Sequence, residues 1–191
     1  MSAKNAHQYS LLDAADQIFE KLPGFRPEVL RGELIVTPLP DIAHAAMLSD
    51  LLLLLIGAGL HNDEVSAVQR VGVWLPTGEH DFAVPDLSLV ERPWDDSHVT
   101  YNCYEPAAFR MVLEVTSLTW QTDLRTKVDV YAEAGIPVYV IVDREHRRVH
   151  ILTNPHNGAY DRTIHGPGAI FTLPRSIGAD VELSVDALLQ A

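Results

Sequence analysis

The sequence contains a single cysteine, Cys103, so the chain cannot form an internal disulfide bond. A chain without disulfides fits a reducing compartment, and we predict a cytoplasmic location. The longest apolar run, from Leu51 to Ile56, is far shorter than the roughly 20 residues that a membrane-spanning helix needs. The first residues, with Lys4 and His7 among them, lack the apolar core of a signal peptide. We therefore expect no association with a membrane.

The sequence also lacks a run of basic residues, and its formal net charge is -12. Proteins that bind duplex DNA usually present a basic face, because neutralising phosphates supplies much of the affinity. The densest basic segment contains Arg144, Arg147 and Arg148, and Glu145 interrupts it. The composition therefore weighs against DNA binding, unless local charge, metal ions or a partner supply the attraction.

Several catalytic motifs are missing as well. The sequence has no glycine-rich phosphate loop and no serine in a Gly-x-Ser-x-Gly turn. Its nine histidines show no convincing spacing for a zinc site. These absences exclude the commonest sequence signatures of nucleotide-binding proteins, serine hydrolases and zinc enzymes.

The hydrophobic pattern predicts a mixture of helices and strands. In chain order we predict a helix at 10–21, a hairpin at 29–37 turning at Arg31-Gly32, a helix at 42–60, strands at 65–75 and 84–90, a surface loop at 91–108, a strand at 109–115, a helix ending at Gly135, a hairpin of strands 138–142 and 148–152, a strand at 160–164, and a strand and short helix at 181–189. The pattern is typical of an α/β or α+β fold with a mixed sheet and helices. The chain length favours a single domain over residues 1–191, with residues 1–28 as a helical N-terminal extension.

The stretch from Phe109 to Tyr131 is the most informative part of the sequence. Its first half has apolar residues at almost every position, which predicts a central strand covered on both faces. Glu114 interrupts this apolar run, and a buried carboxylate is costly unless a cation meets it. The second half predicts a helix that could return Lys127 to the same end of the sheet.

Asp86, in the strand at 84–90, is a second carboxylate that could meet Glu114 if their strands are neighbours. Two carboxylates about 4 Å apart repel by roughly 4 kcal/mol at an effective dielectric of about 20. Either one carboxylate takes up a proton or a divalent cation lies between them. Oxygen ligands favour Mg²⁺ or Mn²⁺ over softer metals.

Structural roles explain some of these residues equally well. Asp86 fits the polar face of a half-exposed strand, and His44 fits the first turn of a surface helix. Lys127 follows Asp123 by four residues, a spacing that forms a helical ion pair worth a few tenths of a kcal/mol. Glu114 is harder to explain structurally, because its neighbours are apolar.

An ordered set of motifs resembles the Uma2 family of endonuclease-like proteins, which belongs to the PD-(D/E)xK nuclease superfamily. The motifs are Leu30-Arg31-Gly32-Glu33-Leu34-Ile35-Val36 with Pro38 and His44, Val84-Pro85-Asp86, Leu113-Glu114-Val115-Thr116-Ser117, Asp123 with Lys127, Tyr131-Ala-Glu-Ala-Gly-Ile-Pro-Val-Tyr139, and Ile141-Val142-Asp143. The resemblance implies a restriction endonuclease-like fold, a mixed central sheet flanked by helices. It also implies cleavage of phosphodiester bonds with bound Mg²⁺ or Mn²⁺.

The resemblance also implies roles for individual residues. Asp86, Glu114 and the Val115 backbone carbonyl match the metal ligands. The lysine that the wider superfamily carries two residues after the second acid is absent, and Thr116 stands there. The Uma2 pattern instead has a catalytic lysine on the next helix, and Lys127 matches it. The family positions near the site with less defined roles are Glu33 and His44.

We therefore predict a metal-dependent DNA endonuclease in which Asp86, Glu114 and Lys127 are catalytic. Because duplex cleavage by a single-site domain often needs two copies, we also predict a homodimer. Two alternatives stay open on the sequence alone. One is a nuclease-like binding or assembly module with little catalysis, which the acidic composition favours. The other is a metal hydrolase that acts on small phosphoesters.

Overall fold

The computed structural model describes residues 10–116 and 124–189. Within these ranges the helices are α1 (Leu11–Lys21), α2 (Ile42–Gly57), α3 (Thr126–Glu133) and α4 (Val185–Leu189). The strands are β1 (Phe25–Leu30), β2 (Glu33–Pro38), β3 (Val65–Gln69), β4 (Gly72–Trp74), β5 (Phe82–Ala83), β6 (Leu87–Glu91), β7 (His98–Thr100), β8 (Cys103–Tyr104), β9 (Phe109–Val115), β10 (Val138–Asp143), β11 (Arg148–His156), β12 (Ala159–His165), β13 (Ile170–Thr172) and β14 (Glu182–Ser184). Every helix in the described ranges is too short or too polar to span a membrane.

The strands of these described ranges form two six-stranded sheets and one small two-stranded sheet. The main sheet has the order β12-β11-β10-β9-β6-β3, and only β9 and β10 run parallel within it. The second sheet has the order β2-β1-β5-β4-β8-β7, and β13 pairs with β14. The predicted α+β class with a mixed sheet is confirmed, and β9 has neighbours on both sides, as a central strand requires.

Apolar layers cover both faces of the main sheet. One face packs on α2 and on the C-terminal elements, through residues such as Leu51, Leu113 and Leu183. The other face packs on α3 and the second sheet, through residues such as Val112 and Tyr131. Because successive residues of a strand point to opposite faces, Glu114 points to the same side as Val112, towards α3.

Two predicted strands each include a point where the chain crosses between the two sheets. The predicted strand at 65–75 breaks at Arg70, whose left-handed φ of 58° ends β3 before β4 begins in the second sheet. The predicted strand at 84–90 starts only at Leu87, and residues 84–86 connect β5 of the second sheet to β6 of the main sheet. Asp86 therefore lies where the chain crosses between the sheets, just before β6. Pro85 precedes it and has no backbone N–H to donate to a sheet.

The predicted loop at 91–108 is partly wrong, since it contains β7 and β8 of the second sheet. The hairpin turn at Arg31-Gly32 is confirmed. Buried Asp81 holds this turn by accepting hydrogen bonds from the Arg31 N–H at 2.8 Å and the Gly32 N–H at 2.9 Å. This anchoring holds the end of β1, the strand that carries Arg26 and Glu28. Neither residue is among those that the sequence predicts for the candidate site.

Candidate active site

Side chains from five elements meet in one buried polar cluster between the two sheets. Its members are Arg26 and Glu28 on β1, His44 on α2, Asp86 before β6, Glu114 on β9, and Lys127 and Tyr131 on α3. Local patterns explain these positions. Arg26 and Glu28 are two residues apart on a strand, and Lys127 and Tyr131 are four apart on a helix, so each pair shares one face.

Lys127 joins two carboxylates in the deepest part of the cluster. Its Nζ lies 2.7 Å from Glu114 Oε1 and 3.0 Å from Glu28 Oε1. All three side chains are about 1 % exposed. The Val84 N–H donates to Glu28 Oε1 at 2.7 Å, and the Tyr131 hydroxyl donates to Glu114 Oε1 at 3.2 Å. These contacts fix both carboxylates, as burial of charged groups requires.

The surroundings of Tyr131 favour its protonated form, a hydroxyl donor. Burial raises its pKa well above the ordinary value, and the negative charges of Glu114 and Glu28 raise that pKa further. Its ring also packs edge-to-face on Tyr139, with the centroids 4.9 Å apart. Tyr131 therefore orients Glu114 and does not supply a proton to the solvent.

Asp86 stays ionised although it is almost fully buried. Burial alone raises the pKa of a carboxyl group, but the nearby His44 ring and the Arg26 guanidinium outweigh burial and hold the pKa of Asp86 well below its ordinary value. Arg26 Nη1 lies 2.7 Å from Asp86 Oδ1. The Val115 N–H donates to Asp86 Oδ2 at 2.9 Å. This last bond ties Asp86 to the end of β9, next to Glu114.

Arg26 connects the two acids that the sequence singles out. Its Nη2 lies 3.9 Å from Glu114 Oε2, while Nη1 binds Asp86. Burial lowers the pKa of Arg26, but the charges of Glu28, Glu114 and Asp86 outweigh it, so the pKa is raised above its ordinary value. The guanidinium is therefore always charged. Its Nε is buried and has no hydrogen-bond partner among the described residues.

His44 faces Asp86 from the first turn of α2. Asp41 caps this helix by accepting a hydrogen bond from the His44 N–H at 2.7 Å. His44 Nε2 lies 3.2 Å from Asp86 Oδ2, close enough for an ion pair if the ring is protonated. Within the described residues, however, neither ring nitrogen has a partner in hydrogen-bond geometry. A buried imidazole in this state has capacity to bind a further group.

A cleft of about 460 Å³ opens onto one side of the cluster. Arg26, His44, Asp86 and Val115 are among the residues that line it, together with Arg70 and Asp41. Glu114 and Lys127 do not line it and lie behind this wall. A bound molecule would therefore meet Asp86, His44 and the Arg26 guanidinium first.

The comparisons with known proteins agree with this architecture. The model of the family described as "Uma2: Putative restriction endonuclease" matches residues 16–186. The chain belongs to the Uma2 family. A crystal structure of "a putative nuclease belonging to DUF820" from Anabaena variabilis superposes with a TM-score of 0.69. The two sequences are 19% identical, and the superposition covers 90% of this Uma2 chain and 95% of the Anabaena chain. The likeness shows a shared fold. No curated protein matches the chain.

The Uma2 fold brings together most of the side chains that the sequence proposes as a site. Asp86, Glu114, Lys127 and His44 all belong to the cluster. Glu33 is exposed at the start of β2, and among the described residues it forms no contact with the cluster. The predicted ion pair of Lys127 with Asp123 lies outside the described residues.

Sequence reasoning missed Arg26 and Glu28 of this Uma2 chain. The segment Arg26-Pro27-Glu28 leads directly into apolar Val29 and Leu30, so a charged residue at the edge of a buried strand was visible. The argument that singles out Glu114 applies to Glu28 in the same way. Nothing in the local sequence shows that Arg26 reaches Asp86, which lies 60 residues away.

The donor set of the Uma2 site fits a hard divalent cation in its chemistry. The carboxylates of Asp86 and Glu114 are near enough for one guanidinium to contact both, and the Val115 backbone adjoins them. Carboxylate and carbonyl oxygens are the ligands that Mg²⁺ and Mn²⁺ prefer. Within the described residues, no group of three or more His, Cys, Asp or Glu side chains is already arranged around a common point. A positively charged side chain lies between the acids instead.

Proposed function

We propose that this protein is a Mg²⁺- or Mn²⁺-dependent DNA endonuclease that hydrolyses phosphodiester bonds. Membership of the Uma2 family supports a nuclease, and the observation that carries the proposal is the convergence of Asp86 and Glu114 beside an open cleft. The proposal includes a homodimer and a cytoplasmic location, as the sequence suggests. Asp86 and His44 line this cleft, which a purely structural ion-pair network would not require.

The proposal assigns a task to five side chains of the cluster and to one backbone carbonyl. Asp86, Glu114 and the Val115 carbonyl would hold the metal ion. A divalent cation in such a site activates water and offsets the charge on a phosphate. Lys127 holds the Glu114 carboxylate through Oε1 and adds positive charge behind it. The Tyr131 hydroxyl donates to the same Oε1 atom. His44 lines the cleft, where it can contact a phosphate oxygen.

Nicking of supercoiled plasmid DNA in the presence of Mg²⁺ or Mn²⁺ tests this function. We expect the wild-type chain to nick the plasmid and Glu114→Gln to lose at least 100-fold of that activity, because an amide replaces a ligand carboxylate. Asp86→Asn is expected to behave in the same way. Addition of a chelator is expected to stop the wild-type reaction.

Glu182→Gln is the matched control, since it removes an exposed carboxylate on β14, outside the cluster. It is expected to nick DNA at the wild-type rate. The proposal is wrong if Glu114→Gln and Asp86→Asn nick DNA as fast as the wild type. A contaminating nuclease or another site would then explain the cleavage.

The size of the cleft keeps a second candidate function open. A space of about 460 Å³ is ample for a small phosphoester but encloses only a small part of a DNA duplex, and the net charge of -12 disfavours long-range attraction of DNA. A small phosphodiester such as bis-p-nitrophenyl phosphate separates the two candidates. If the enzyme hydrolyses it readily and plasmid DNA does not compete, the small-substrate hydrolase is favoured.

A further inference from the structure

The Arg26 side chain occupies the place between the two acids that a cation would take. Its Nη1 lies 2.7 Å from Asp86 Oδ1 and its Nη2 lies 3.9 Å from Glu114 Oε2. Arg26 comes from β1 in the second sheet, whereas both acids belong to the region of the main sheet. The Arg26 side chain therefore reaches the site from a different sheet than the two acids.

The charges of the cluster make Arg26 and a divalent cation alternatives. Among the described residues, the three carboxylates of Glu28, Asp86 and Glu114 face the two cations Arg26 and Lys127. The net charge of these five groups is -1, so adding a divalent cation would give a net charge of +1. The cation would also lie close to the positive charge of Arg26, and like charges repel strongly in a buried setting. With Arg26 withdrawn, two negative charges remain, and a divalent cation balances them.

Arg26 also has space into which it can move. Its side chain is 14% exposed, and Arg26 lines both the active-site cleft and a second cavity of about 320 Å³. Aromatic side chains line that second cavity, among them Phe25, Phe82 and Tyr101. Aromatic faces attract a guanidinium, so the second cavity offers a favourable alternative position. The unpartnered Nε shows that the present position leaves one donor of the side chain unsatisfied.

We propose that Arg26 is a resident counter-cation, which neutralises Asp86 and Glu114 in the metal-free protein and swings away when a divalent cation binds. This inference rests on the proposed metal-dependent function. In this role Arg26 lowers the affinity of the site for metal, and it keeps the two buried acids paired with a positive charge at low metal concentration. Metal binding is then coupled to the movement of one side chain.

Direct measurement of Mn²⁺ affinity, by calorimetry or by the electron paramagnetic resonance signal of free Mn²⁺, tests the inference. Arg26→Met keeps an unbranched apolar stem and removes the charged guanidinium. We expect this variant to bind Mn²⁺ at least tenfold more tightly than the wild type, because a competing cation is gone. Arg31→Met is the matched control. It removes an arginine of the same hairpin that pairs with exposed Glu133, so its Mn²⁺ affinity is expected to equal that of the wild type.

The outcomes separate this inference from the proposed function. If folded Arg26→Met binds Mn²⁺ no more tightly than the wild type, while Asp86→Asn abolishes binding, Arg26 is not a competitor and the nuclease proposal stands. If no variant binds Mn²⁺ at millimolar concentrations, the inference and the metal-dependent function both fail.

A second measurement needs only the wild-type chain, in case Arg26→Met does not fold. A crystal structure with bound Mn²⁺ is expected to show Arg26 Nη1 beyond hydrogen-bond distance of Asp86. A Mn²⁺ ion bound by Asp86 and Glu114, with the 2.7 Å contact of Arg26 intact, would overturn the inference.

Discussion

Lys127 holds two buried carboxylates at once, and this gives a single side chain both structural and functional importance. Its Nζ contacts Glu114 and Glu28, and all three groups are shielded from water. Buried charges that lose their partner cost several kcal/mol, because they can neither be solvated nor be neutralised nearby. Any test of the lysine in catalysis must therefore separate its contribution to folding from its contribution to the reaction.

We expect Lys127→Met to lower the free energy of unfolding by about 3 kcal/mol, measured by urea denaturation at pH 7. The reason is that Glu28 and Glu114 then remain buried without their shared cation. The double variant Lys127→Met with Glu28→Gln is expected to lose less stability than the two single variants added together, because it removes one of the stranded charges. Strictly additive losses would show that Lys127 and Glu28 do not interact energetically.

Residue-level reasoning from the sequence succeeded where one position conflicts with its neighbours. Glu114 stands out because a carboxylate within Met111 to Val115 has no local partner, and the structure supplies the partner from α3. Arg26 gave no such conflict, because an arginine near the start of a strand is ordinary. Its contacts depend on how the second sheet lies against the main sheet, which no local pattern encodes.

At the scale of elements, the sequence predicted well what is continuous in the chain. The hairpin around Arg31-Gly32, the central strand β9, and the hairpin of β10 and β11 agree with the structure. The errors lie at Arg70 and at Asp86, where the chain passes from one sheet to the other. Hydrophobic alternation continues through such crossings, because both sheets bury apolar residues, so periodicity alone cannot locate them.

Helix α2 carries a feature that bears on the predicted homodimer. It packs on the main sheet with one side, yet its other side exposes apolar residues, with Ile42 88% and Leu53 67% exposed. Asp50 is its only charged residue. An apolar helix face with a single charged residue is costly to leave in water and is typical of contact surfaces between subunits.

If the homodimer forms through α2, we expect Leu53→Lys to convert it to a monomer, as measured by light scattering over a range of concentrations. A lysine at the centre of an apolar interface must lose its hydration without gaining a partner. Ile164→Lys on β12 is the matched control, since Ile164 is also about half exposed but lies on another element. A wild-type chain that is monomeric at 100 µM would contradict the predicted homodimer itself.

At the scale of the whole molecule, a second buried polar group makes stability depend on pH. Asp143 at the end of β10 is fully buried and contacts His146, Arg148 and His150. Burial lowers the pKa of His150 to about 4, an effect that Arg162 and Arg148 reinforce and that the contact with Asp143 only partly offsets. In the unfolded chain the same imidazole titrates near its ordinary pKa of about 6.5.

The sign of this effect follows from proton binding. Between about pH 6.5 and pH 4 the unfolded chain binds a proton at His150 and the folded chain does not, so acidification favours unfolding. The lowered pKa values of Asp86 and Asp143 act at lower pH, because their stabilisation is lost only as the solution approaches and passes below the ordinary carboxyl pKa of about 3.9. The range from pH 6.5 to pH 5 therefore isolates the histidine.

We expect the free energy of unfolding to fall by about 2 kcal/mol between pH 6.5 and pH 5, as measured by urea denaturation. His150→Gln is expected to flatten the curve in this range, because the amide keeps a polar group beside Asp143 but does not titrate. His61→Gln, which removes an exposed histidine, is expected to keep the wild-type slope. If His150→Gln retains that slope, the pH dependence arises from another histidine, and the buried imidazole does not control the acid stability of the fold.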